Sequence, residues 1–461
     1  MNQSTETNLF GTEKIWKILL RLAPPVMFAQ LIQALYNIVD SYFVGKYSPD
    51  GLTALSVIFP VQLIITALAV GTGVGVNTQM ARLYAQKKEK EANETAGTGM
   101  VLSLFTWILF AILSALLMSS YVATSAKSET AIQYGIIYGK IVCIGSIGIF
   151  LESIWTKVLQ AEGNMRLPMI AQIAGAITNI LLDPVLIFGM FGIPELGIAG
   201  AAIATVCGQI VAAIITGTRG FRMPPAFQGS AHQSHPRGAF HVTGNSCHMK
   251  NCIKWIYRLG YPSILMQMLY TVYIVALNII LAGFSDAAVT VLGLYYKMQT
   301  FFFIPLLGLQ TCIVPVLSYN HASKQYKRCR LIMKDSVLFS LTFMLVGVFC
   351  FEALPETLLC LFSNEADVLS IGVPAFRIIG SSFLPAVISL LSPVFFQAIG
   401  NAKASALLSL IRQLGCLIPV FWALSKLGLV YTWIAFPVAE LITGAIGIIL
   451  YLRQIRQWSA A

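Results

Sequence analysis

Apolar stretches of about 20 residues, set off by short polar segments, recur along the whole chain. A helix needs ~20 apolar residues to cross a bilayer, and only a helix or a closed barrel satisfies its own backbone there. The pattern predicts spans at 19–43, 54–78, 97–119, 132–154, 167–190 and 198–218, then at 260–283, 288–316, 336–354, 368–394, 405–424 and 431–451. The expected class is an all-α polytopic membrane protein with twelve transmembrane helices.

The second set of spans repeats the first. Gln160-Ala161-Glu162-Gly163-Asn164-Met165-Arg166 returns as Gln397-Ala398-Ile399-Gly400-Asn401-Ala402-Lys403, 237 residues on. The same offset pairs Arg21-Leu22 with Arg258-Leu259, Pro25 with Pro262, Tyr36 with Tyr273, Gln62 with Gln299 and Gly71 with Gly308. The expected domains are an N-terminal six-helix lobe (1–218), a cytoplasmic linker loop (219–257) and a C-terminal six-helix lobe (258–461). Six is even, so both copies enter the membrane in one orientation. They should be related by a pseudo-two-fold axis along the membrane normal, an arrangement found in transporters.

Composition agrees: 57% of residues are hydrophobic and only 11% are charged, so lipid must solvate much of the chain. Of 30 Lys and Arg, 23 fall on one side of the predicted membrane. Only Lys46, Lys127 and Lys426 fall on the other, and Lys140, Lys297, Arg377 and Arg412 fall within spans. The positive-inside rule places both termini and the linker in the cytoplasm of a multi-pass protein of the cell (inner) membrane. The net charge of +11 thus reads as topology, and no nucleic-acid partner is expected. Met1 to Thr12 is polar and mildly acidic, unlike a cleaved secretory signal.

Motifs for covalent chemistry are absent from the sequence. There is no G-x-x-x-x-G-K-[ST], nucleophile elbow or H-E-x-x-H. Gly71-Thr72-Gly73-Val74-Gly75 lies inside an apolar span and reads as close helix packing. The linker holds His232, His235, His241, His248, Cys247 and Cys252, in a spacing that fits no zinc pattern well; a flexible linker is expected. The nine cysteines, mostly within spans, read as small buried side chains. No enzyme activity, cofactor or metal is expected, and no nucleotide site on this chain drives transport.

Ionisable residues inside a membrane cost roughly 3 kcal/mol or more, so each asks for a reason. Asp40 lies in the first span and Asp183 in the fifth. Tyr36 and Asn179 each sit four residues before an aspartate, on the same helix face. Together they could form an oxygen-rich pocket suited to a proton or to sodium; the alternative is a structural hydrogen-bonded pair. Pro184 removes a backbone donor beside Asp183. At the repeat offset Asp40 becomes Leu277 and Asp183 becomes Val420, so the pocket belongs to one copy. Lys297 and Glu440 have no charged repeat counterpart; they either line a cavity or pair with another group. Met266, Tyr270 and Tyr273 form a stripe that either binds apolar cations or packs helices.

The chain resembles the multidrug and toxic compound extrusion (MATE) transporters, in particular their bacterial DinF/MepA-like branch. The resemblance rests on Pro24-Pro25, Val39-Asp40, Asn179-x-x-x-Asp183-Pro184, Gly200-Ala201-Ala202-Ile203-Ala204-Thr205 and the paired Q-A-x-G-N-x-[RK] segments. It implies two six-helix lobes around a central cavity. It implies export of amphipathic, often cationic drug-like compounds in exchange for protons or sodium; separately, a monomer in the lipid bilayer is expected. It assigns the coupling ion to Tyr36, Asp40, Asn179, Asp183 and Thr205, and a bend of the first helix to Pro25. The other large branch uses acids in helices 7 and 10; those regions contain none here. Two rival readings are a lipid-linked oligosaccharide flippase, which more often has a strongly basic cavity, and a channel or membrane sensor.

Overall fold

A computed structural model describes residues 10–125, 128–220, 246–362 and 365–460. Residues 1–9, Lys127 and the linker residues Arg222, His232, His235, Arg237 and His241 lie outside the described residues, as do the side chains of Arg219, Cys247 and His248. The described residues contain ten helices long and apolar enough to cross a membrane, and two bent helix pairs, twelve spans with each pair taken as one. They are α1 (Ile15–Tyr47), α2 (Pro49–Ala85), α3 (Glu89–Ser125), α4 (Glu129–Ala161), α5 (Arg166–Phe188), α6 (Ile198–Gly220) and α7 (Ser246–Ala282). There follow α8 (Asp286–Phe302 with Ile304–Ala322), α9 (Tyr326–Ala353), α10 (Ala366–Gly380 with Phe383–Ala398), α11 (Ala402–Ser425) and α12 (Ala435–Ala460). Each predicted span has its helix. Phe105, Leu116 and Ile279 are 65%, 71% and 69% exposed, as lipid-facing side chains should be.

Four spans expected as plain helices depart from regularity; α4 breaks for one residue at Ser146, between Glu129–Gly145 and Ile147–Ala161. The two pieces of α8 meet at 53° across Phe303, where Pro305 has no N–H to give to the Phe301 carbonyl. The pieces of α10 meet at 55°. Within α11 the turn widens to a π-helix over Ile411–Leu417, just before Pro419, which cannot donate to Gly415.

The repeated Q-A-x-G-N segment has a local physical cause. Gly163 and Gly400 take φ of 88° and 86°, a conformation that a Cβ disfavours, and so end α4 and α10. Beyond each glycine, the Asn164 N–H donates to the Leu159 carbonyl (2.9 Å) and the Asn401 N–H to the Phe396 carbonyl (2.8 Å). Each asparagine then accepts from the first turn of the next helix: Asn164 Oδ1 from Leu167 N and Asn401 Oδ1 from Ala404 N, both at 3.2 Å. One short motif stops a helix, turns the chain and starts the next helix.

Contacts divide the chain into two compact units. One contains residues 24–264 and the N-terminal segment 1–13; the other contains 14–23 and 265–461. Two of the three boundaries fall inside helices, α1 at Ala23/Pro24 and α7 at Ile264/Leu265, beside the repeat-paired prolines Pro25 and Pro262; the third, Glu13/Lys14, precedes α1. The first unit has a mixed core that includes the aliphatic Ile58, Ile65 and Val142 with Met118, Tyr138 and Phe150. Its glycine stripe packs as the sequence suggests. A Cβ on Gly73 would lie 2.8 Å from Lys157 Cγ, and one on Gly71 or Gly75 would collide with Ile264 or with the Ile256 carbonyl. The second unit has an aromatic core: Phe351 stacks on Phe376 (4.8 Å between centroids) and meets Phe383 (4.7 Å) and Phe302 (5.5 Å).

Candidate ion and cargo site

The site forms at a close approach of α5 and α6. A Cβ on Gly175 would lie 2.6 Å from the Gly208 carbonyl oxygen, and one on Gly208 would lie 2.6 Å from that of Gly175. One turn away, Asn179 of α5 reaches across. Its amide donates to Asp183 Oδ1 and to Thr205 Oγ1, both at 3.4 Å. With the amide turned over, it donates to Asp183 Oδ2 (3.3 Å) and accepts from Thr205 N (3.2 Å). Asn179 thus joins the buried Asp183 to α6 in either orientation. Pro184 deprives the Ile180 carbonyl of its helical donor, leaving more acceptor density nearby.

Asp40 of α1 is also buried, and its Oδ1 has no hydrogen-bond partner among the described residues. Asp183 lies within electrostatic reach of it, and Tyr36 within reach of both. The five residues named for the ion therefore share one neighbourhood in the first unit. An unpartnered carboxylate oxygen there asks for a proton or a cation.

Two further residues belong here. Tyr138 of α4 is 2% exposed and lies beside Asp40 and Thr205. Its hydroxyl accepts from Gln62 Nε2 of α2 at 3.3 Å. The repeat match of Gln62 with Gln299 was the only sequence signal for this pair. A cavity of about 100 Å³ adjoins the site, lined by Tyr36, Asn179 and Thr205 together with Glu152, Gln172 and Gln209. Glu152 accepts from Thr156 Oγ1 (2.7 Å) and Gln172 Nε2 (3.5 Å).

The aromatic stripe of α7 lies in the second unit. Tyr270 and Tyr273 meet edge to face at 5.3 Å and both approach Tyr296, at 6.3 and 6.1 Å. Met266, Tyr270 and Tyr273 take no part in lining the cavity above. Glu440 has a partner: Arg412 Nε donates to both its carboxylate oxygens, at 3.0 and 3.1 Å, and Ser389 adds a further bond. The Lys297 ammonium lies over the Phe362 ring at 5.7 Å.

Comparison with known proteins agrees with this architecture. The profile of the MatE family matches residues 25–185 and again 262–422, two matches displaced by the repeat offset at both ends. An FAD transporter of Shewanella oneidensis is 24% identical over 434 residues, covering 93% of each chain. The multidrug export protein MepA of Staphylococcus saprophyticus is 23% identical, over 91% of this chain and 89% of that one. A solved structure of a multidrug resistance MATE family transporter in an outward-facing conformation superposes with a TM-score of 0.88 at 22% identity, over 99% of each chain.

Proposed function

The chain belongs to the MatE family, and from that premise we propose that it is a secondary antiporter that exports amphipathic, often cationic drug-like compounds in exchange for an inward flow of protons or sodium. Relatives described as multidrug export proteins support drug-like cargo. The buried Asp40 oxygen without a partner, set beside Asp183, supports the ion coupling. In this reading Asp40 and Asp183 take the ion from outside, with Tyr36, Asn179 and Thr205 completing the oxygen set, and Tyr138 and Gln62 hold the wall beside Asp40. Ion binding favours the conformation that releases cargo. Coupling requires only that ion and cargo differ in their affinity for two conformations. The protein works as a monomer in the cell membrane with both termini in the cytoplasm, and α1 bends at Pro25, beside the Ala23/Pro24 division between the units.

Cargo accumulation in cells expressing wild type or Asp40→Asn tests this reading. The variant should reach the membrane in normal amount and leave cells unprotected. Wild-type efflux by the variant would contradict it. The cargo panel includes FAD, because one relative is an FAD transporter.

A further inference from the structure

Glu152 is a carboxylate within the fourth predicted span (132–154), and the two aspartates of the coupling site do not account for it. It lies on α4 and lines the cavity, where Tyr36 senses its charge. Both of its hydrogen bonds, from Thr156 and Gln172, end on Oε1. Oε2 receives none from the described residues. Across the same lining, Gln209 Oε1 is buried without a partner. Lys157, the basic residue that acts on Glu152, directs its ammonium to Gln160 Oε1 at 3.0 Å. The cavity thus presents two acceptor oxygens without protein donors, one of them on a carboxylate. An acceptor-rich wall in a low-dielectric setting favours a group that brings both positive charge and N–H donors.

We propose that Glu152 and Gln209 form a subsite for the ammonium head of a cationic amphipathic cargo, adjoining but separate from the coupling pair Asp40 and Asp183. The proposal rests on the efflux reading for its cargo. The volume of about 100 Å³ suits a slender alkylammonium end rather than a whole drug. Glu152 is then a specificity residue: it selects charged over neutral cargo and leaves the coupling ion to the aspartates.

The test uses the full chain in detergent and two fluorescent probes that differ only in charge, dansylcadaverine and its neutral N-acetyl derivative. Glu152→Gln keeps an acceptor for Thr156 and Gln172 but removes the charge. It should weaken dansylcadaverine binding about tenfold or more, the loss of one charge-assisted contact, and leave the acetylated probe unchanged. Glu152→Asp should restore part of the loss. Equal affinity of wild type and Glu152→Gln for the amine, an equal loss for both probes, or no binding of the amine to wild type would overturn the subsite. Binding that depends on Glu152 without any transport would instead sink the efflux reading and leave the subsite standing.

Discussion

Gly175 of α5 and Gly208 of α6 face each other so closely that a Cβ on either would lie 2.6 Å from the carbonyl oxygen of the other. This contact sets the spacing that lets Asn179 reach Thr205. Gly208→Ala should push the two backbones apart, since a carbonyl cannot rotate away as a side chain can. The expected cost is about 1–3 kcal/mol, with a larger loss of transport than of folded protein. Thermal unfolding in detergent beside a transport assay checks both; unchanged transport would mean that the Asn179 bridge is dispensable.

The two Q-A-x-G-N turns should act independently, because they cap helices in different units. Asn164→Ala and Asn401→Ala each remove an acceptor for a first-turn N–H, at about 1 kcal/mol apiece. The double variant should lose roughly the sum in chemical unfolding. A loss far from additive would contradict independent caps.

Arg412 and Glu440 are 12% and 9% exposed at their side chains, deep in the second unit. Arg412→Met strands the Glu440 carboxylate, and Glu440→Leu strands the guanidinium. Each should destabilise by about 3–5 kcal/mol, and the double variant should recover much of that loss. A double variant as unstable as the sum of the singles would show that each residue has other essential partners.

These predictions divide by how far the sequence could reach. The twelve spans were legible because lipid enforces apolar stretches of one length. The repeat was legible because its caps depend on residues a few positions apart, Gly163 with Asn164 and Gly400 with Asn401. The aspartates were legible because a carboxylate is conspicuous among apolar neighbours. Tyr138 was not, since its partner Gln62 is 76 residues away and a tyrosine is ordinary in a helix. Nothing in the sequence sets Glu152 apart; only packing reveals that it faces a cavity. The Arg412–Glu440 pair stayed hidden as a pair because the residues lie 28 apart on separate helices. Its arginine also sits on a π-helical turn, so regular 3.6-residue spacing misplaces its face.

Reconstituted transport tests the central claim most directly: that buried aspartates of one unit couple cargo export to an ion gradient. Proteoliposomes holding wild type, Asp40→Asn or Asp183→Asn are loaded with a cationic cargo, then given an imposed proton gradient and, separately, an imposed sodium gradient. Wild type should move cargo uphill under at least one gradient, and both variants should fail under either. Uphill transport by Asp40→Asn at the wild-type rate, or wild-type flux that only follows the cargo's own gradient, would contradict the account.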